Sequence, residues 1–214
     1  MTFTPEAAKL VTREVRSGTR GGSPTRTTVA RRVYNASQDD LWDALTNPER
    51  LPRWFAPVSG DLRLDGRYAI EGNASGRIEQ CEVPDHFSLT WEFGGQVSWV
   101  SVQLASKAEG TELSIAHEGS VAEPEFWTQF GPGATGVGWD LALLGLNSHL
   151  AKDPAFDPTA AAQLATSPEA VAFIRAAALD WAEAGIADGD ESVAARGAAE
   201  RTVEFYTTVP GESH

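Results

Sequence analysis

Trp54, Phe55, Trp91, Trp99 and Trp139 are large, rigid aromatics, and the chemistry they offer is enclosure rather than bond-making. Aromatic walls hold lipid-like or polycyclic molecules, while an indole N–H supplies a polar handle to orient them. The plainer use of the same side chains is core packing, which is the usual fate of any one of them taken alone. Leu143 joins the set as an apolar wall candidate on a later helix. His117 is the one titratable candidate, because Leu113, Ile115 and His117 alternate along one strand and so share a face. A neutral imidazole there can hydrogen-bond a ligand or pass a proton, and a satisfied core histidine is the bland alternative. Glu71 and Glu92 lie near the same strands, but the alternation turns them towards solvent.

Other motifs carry less. Gly131-Pro132-Gly133-Ala134-Thr135-Gly136 fits G-x-G-x-x-G and precedes a helix. Proline in its second position, and the lack of a preceding strand in a βαβ unit, remove the context that gives this fingerprint meaning. It reads instead as a hinge-like glycine loop that lets Trp139 enter a groove. The chain has no P-loop, no H-E-x-x-H and no G-x-S-x-G, so nucleotide hydrolysis, zinc proteolysis and elbow-type hydrolysis lose their signatures. No Cys/His pairs stand at zinc spacing, and the sequence calls for no metal and no cofactor.

These residues need a scaffold, and 214 residues with 42% hydrophobic content suffice for one large domain without staples. The single Cys81 rules out an internal disulfide and points to a reducing compartment, the cytoplasm. The first residues lack the apolar core of a signal peptide, and no run is long enough for a membrane span. The net charge is −13, and seven basic side chains lie within residues 1–34, which leaves the remainder still more acidic. Such a body repels polyphosphate, which argues against nucleic-acid binding.

Residues 1–24 read as a basic arm: a short helix from Thr4 towards Arg16, then a Gly/Ser linker, loosely tied to the body. A strand from Thr25 to Tyr34 follows. Ser37 caps a helix stopped by Asn47-Pro48, and Glu49 to Phe55 reads as a second short helix. Six short runs then alternate with turn signals: Leu62–Leu64, Arg67–Ile70, Arg77–Val83, Phe87–Phe93, Val97–Ala105 and Thr111–His117. They predict an antiparallel meander. Phe87, Leu89, Trp91 and Phe93 share one apolar face, which the helix from Gly138 to about Leu150 must cover. After an Ala/Pro/Asp connector, Ser167-Pro168-Glu169 opens a helix that Gly185 closes, and Asp190 caps another running to about Tyr206. Val171, Ile174, Ala178 and Trp181 line one side of the first of these, with Phe173 opposite. The domains expected are 1–24, 25–151 and a helical extension at 152–214, whose spare apolar surface allows a homodimer.

Several ordered motifs resemble one family: Asn47-Pro48-Glu49, Leu51-Pro52-Arg53-Trp54-Phe55-Ala56-Pro57, Asp61-Leu62-Arg63-Leu64-Asp65-Gly66-Arg67-Tyr68, Gly76-Arg77-Ile78, Leu89-Thr90-Trp91, Gly110-Thr111-Glu112-Leu113 and Gly138-Trp139. From Thr25 to Leu150 the chain is similar to the heat-shock-protein ATPase activator homologue (AHSA-type) branch of the SRPBCC or START-like superfamily. The resemblance implies an α+β helix-grip fold, a curved antiparallel sheet around a long C-terminal helix with a cavity between them. The two later helices and the basic arm are additions to the family's usual extent. The first functional reading is non-enzymatic binding of a small hydrophobic molecule, with Trp54, Phe55, Trp91, Trp99, His117, Trp139 and Leu143 as lining residues. The second is a co-chaperone-like module that docks a protein partner. A third, a cyclase or hydrolase, needs an acid/base pair of which only His117 can be named.

Overall fold

Burial alternates along the longest strands: Val100, Val102 and Leu104 are buried on one, Leu113 and Ile115 on its neighbour, with their intervening residues outside. That two-residue period turns one face of a sheet inward and fixes its register, with Val100 opposite His117, Val102 opposite Ile115 and Leu104 opposite Leu113. The structure, a computed structural model, describes residues 3–121, 125–153 and 166–208. Its strands are β1 (Thr12–Arg20), β2 (Ser23–Tyr34), β3 (Val58–Gly60), β4 (Arg67–Ile70), β5 (Ser75–Glu82), β6 (His86–Phe93), β7 (Gln96–Lys107) and β8 (Gly110–Ser120). They form one antiparallel sheet in the order β1-β2-β8-β7-β6-β5-β4-β3. The helices are α1 (Pro5–Ala8), α2 (Gln38–Thr46), α3 (Glu125–Phe130), α4 (Gly133–Leu150), α5 (Pro168–Ala187) and α6 (Ser192–Thr207), with a 3-10 turn at Leu51–Arg53. This is the helix-grip fold.

The long helix α4 is held from both sides. Towards the sheet, Tyr34 donates its hydroxyl proton to the Leu143 carbonyl at 2.9 Å, and Arg32 donates to Asn147 Oδ1 at 2.8 Å. Away from the sheet, α5 and α6 cover it. A Cβ on Gly136 would lie 2.2 Å from Trp181 Cε2, and one on Gly133 2.6 Å from Thr202 Oγ1. The glycine-rich run therefore lies in the first turns of α4, which begins five residues earlier than expected, and lets two later helices approach closely. It is a packing device rather than a hinge.

The amino-terminal residues depart furthest from expectation. Residues 12–20 are neither helix nor linker: they form β1, paired with β2 from Thr12↔Arg31 to Arg20↔Ser23. The Gly21-Gly22 pair, at φ of +58° and +85°, makes the hairpin turn, a conformation glycine adopts without strain. Phe3, Ala8, Val11 and Val15 belong to the core, and the expected boundary at residue 24 falls inside β2. The Gly/Ser composition that reads as linker is here the composition of a tight turn.

Three smaller differences have local causes. The first strand of the meander is Val58–Gly60, while Leu62–Leu64 lies in the following loop, because Gly60 at φ +115° ends the pairing with β4. Helix α3 carried no strong capping signal and was not foreseen. Phe173, expected opposite the packed stripe of α5, is buried as well, its ring edge-to-face with Phe3 at 5.9 Å. Most of the Ala/Pro/Asp connector lies outside the described residues.

Candidate functional site

Beneath the open side of the sheet, between β4–β8 and the α2 segment, lies a cavity of about 300 Å³. The elements that build it are short for a reason. Ser37 caps α2 by accepting from the Asp40 N–H, and Asn47-Pro48 ends it, so the chain doubles back and lays Trp42, Leu45, Leu51, Trp54 and Phe55 over the sheet. From the sheet come Phe87, Leu89, Trp91, Val102 and Ile115, and from α4 only Trp139. The mouth opens between the exposed Arg63, on the β3–β4 loop, and the exposed Cys81 and Val83.

The indoles in these walls differ in what they can still do. Trp54 donates to the Ala44 carbonyl at 3.0 Å and Trp139 to His117 Nδ1 at 3.3 Å. Among the described residues no acceptor stands against the indole N–H of Trp42 or Trp91. Tyr68 gives its hydroxyl proton to the Thr90 carbonyl at 2.7 Å, and Thr46 gives its own to the Trp42 carbonyl at 2.8 Å. The polar groups that remain are chiefly hydrogen-bond donors set in apolar walls.

His117 stands behind the Trp91 and Trp139 wall. Its ring centroid lies 5.6 Å from that of Trp91 and 6.0 Å from that of Trp139, and the two indoles are 5.6 Å apart. Because an indole N–H can only donate, Nδ1 of His117 accepts from Trp139, which places the proton on Nε2. Nε2 then donates to Ser98 Oγ at 2.8 Å, and Ser98 passes its proton to the Trp91 carbonyl at 3.3 Å. Burial holds the imidazole down at about 4, so it stays neutral near pH 7. Both nitrogens are engaged, which leaves no free lone pair for a general base. On its far side His117 and Trp91 face a second cavity of about 500 Å³.

Of the seven candidates, Trp54, Phe55, Trp91 and Trp139 line the first cavity, whereas His117 packs behind Trp91 and Trp139 and lines the second. Trp99 and Leu143 do not belong there either. Trp99 is on the outer face, where the Arg20 guanidinium lies 4.3 Å from its ring centroid; the parity that turns Val100 and Val102 inward turns Trp99 out. Leu143 is 1% exposed and lines neither cavity, since the β2 side chains press against α4 at that height. The residues missed are Trp42, Phe87, Leu89 and Cys81. Phe87 and Leu89 carried a readable signal, their shared parity with Trp91. Trp42 carried the helical spacing to Leu45.

The sequence also gave no warning of Asp140. It is buried on α4, accepts from Arg13 of β1 at 2.9 and 3.2 Å and from Trp181 of α5 at 2.8 Å, and so joins three elements.

A helix-grip sheet that closes over an apolar cavity defines a class of ligand-binding domains. Residues 35–151 match the family described as "Activator of Hsp90 ATPase homolog 1-like protein", and the chain belongs to that family. It is similar to the crystal structure of CalU16 from Micromonospora echinospora, at 30% identity and TM-score 0.65 over 81% of this chain and 97% of that one. The solution structure of CalU16 gives 26% identity and TM-score 0.63 over 92% of this chain and 93% of that one. Protein MLL2253 from Mesorhizobium loti shares the fold, at 22% identity and TM-score 0.52 over 60% of this chain and 98% of that one. No curated protein matches the chain. Among the described residues no helix is long and apolar enough to cross a membrane.

Proposed function

We propose that this protein binds a small hydrophobic molecule in the first cavity without transforming it. The observation that carries this reading is the cavity itself. Protein interiors are close-packed and their voids seldom exceed a water molecule. A void costs about 24 cal/mol per Å³ in engineered cores, which puts an apolar space of about 300 Å³ several kcal/mol beyond a tolerable packing defect. A ligand that fills it recovers that cost. Because the open polar groups are donors, the ligand is an apolar ring or chain system carrying an acceptor oxygen such as a ketone or ether. The engaged nitrogens of His117 support binding rather than catalysis.

The test is titration with 6-propionyl-2-(dimethylamino)naphthalene, a neutral fluorophore with one carbonyl acceptor. Its emission should shift to the blue and saturate at one probe per chain. Leu89→Trp, which fills the cavity, should abolish the response at an unchanged far-ultraviolet spectrum. His117→Gln should leave affinity within about threefold, less than 1 kcal/mol, because glutamine can still accept from Trp139 and donate to Ser98. The analogue without the carbonyl should bind at least tenfold more weakly. A response that survives Leu89→Trp sinks the proposal, and absence of any saturable response returns the reading to a protein-docking module.

A further inference from the structure

The second cavity lies between α3, the start of α4 and the β6–β7 hairpin, and the first reading makes no use of it. Its walls are aromatic: Trp91, Trp127, Phe93 and Phe126 line it. Phe93 is 59% exposed, Phe126 54% and Val97 47%, so three large apolar side chains stand uncovered around one opening. Single exposed hydrophobics need no explanation, but several converging on one concavity mark a binding site.

The Arg26 head is held by acidic side chains and an aromatic ring, with its buried Nε–H left without a partner among the described residues. Arg26 Nη2 pairs with Asp190 at 2.8 Å and Asp188 at 3.3 Å, and the guanidinium lies 4.6 Å from the centre of the Trp127 ring. Glu125, at the start of α3, adds a negative charge that disfavours an anion. His117 is neutral and donates to Ser98. Besides that N–H, the neutral Thr135 hydroxyl and Gln96 amide have no partner among the described residues.

We infer that this cavity is a second small-molecule site, for a neutral planar aromatic of the phenol class seated against Trp127 and Trp91. Its hydroxyl meets Thr135 or Gln96. The volume of about 500 Å³ falls in the range of small-molecule sites. The inference stands apart from the first reading, since the two cavities share only the Trp91 wall.

The seven indoles of the full chain, labelled with ¹⁵N, separate the sites by their side-chain resonances. Phenol should move the Trp127 and Trp91 signals saturably and leave Trp42 and Trp54 in place. Benzoate, of similar shape but charged, should bind at least tenfold more weakly. Thr135→Phe should abolish the Trp127 response by filling the space. Thr135→Val, which deletes only the hydroxyl and leaves the helix intact, should weaken phenol at least threefold. Saturable shifts at Trp42 and Trp54 without Trp127 would overturn this inference while leaving the first reading standing. Equal affinity for benzoate, or shifts at Trp127 that never saturate, would overturn it as well.

Discussion

Deleting residues 1–22 should lower the melting temperature by more than about 10 °C, or abolish the cooperative transition. The deletion removes β1 and with it the buried Phe3, Val11 and Val15, and it strips a nine-residue partner from β2. Each such side chain contributes about 1.5–3 kcal/mol by burial, against a total stability of about 5–15 kcal/mol. A loss near 5 kcal/mol corresponds to about 10–20 °C for a chain of this size. Thermal unfolding followed by circular dichroism checks it. A melting point within about 3 °C of the full chain would show that β1 is dispensable.

Arg13→Ala should cost about 3–5 kcal/mol, because removing one partner of a buried ion pair leaves the other charge uncompensated. The Arg13 side chain is 4% exposed and that of Asp140 0%. Urea unfolding measures the loss, and the double substitution Arg13→Met with Asp140→Asn should recover part of it, since no unpaired charge then remains. A single-variant loss below about 0.5 kcal/mol, the range of surface sites, would place the pair outside the core. The pH dependence has a definite sign. Burial pushes the Asp140 carboxyl up to about 6, opposed by Arg13 and the Trp181 N–H. Its folded value thus lies above the unfolded one near 3.8, so its contribution is full below about pH 4 and is lost as pH rises through about 6. Without Arg13 the carboxyl rises further, and the variant's deficit should be larger at pH 8 than at pH 5. His117 runs the other way: its folded value of about 4 lies below the unfolded 6.5, so its contribution is full above 6.5 and is lost as pH falls through about 4. Over that window the two trends oppose each other, and His117→Gln should expose the Asp140 trend alone.

What the sequence made legible follows from how local each signal is. Strand parity placed Phe87, Leu89, Trp91 and His117 on one face, and Ser37 with Asn47-Pro48 bounded α2 within a residue. These depend on nearest neighbours along the chain. Trp99 was misplaced because a tryptophan in a strand is apolar whichever way it points; only the pairing Val100↔His117 shows which parity is inward. The β1–β2 hairpin was missed because Gly and Ser serve linkers and tight turns alike. Arg13–Asp140 spans 127 positions, and nothing along the chain announces an ion pair at that separation. The cavity itself was implied by the family resemblance and the aromatic content, while its position under α2 rather than along Leu143 depends on the way the 3-10 turn folds back.

The central claim is that a hydrophobic molecule sits inside the first cavity. Its most direct test is the set of intermolecular nuclear Overhauser effects between 6-propionyl-2-(dimethylamino)naphthalene and methyl-labelled protein. The account predicts contacts from the naphthalene protons to the methyls of Leu45, Leu89, Val102 and Ile115, which surround the cavity, and none to Leu143 or Val193. Contacts confined to surface methyls such as Leu10, Leu64 or Val193, with the cavity methyls silent at saturating probe, would contradict it.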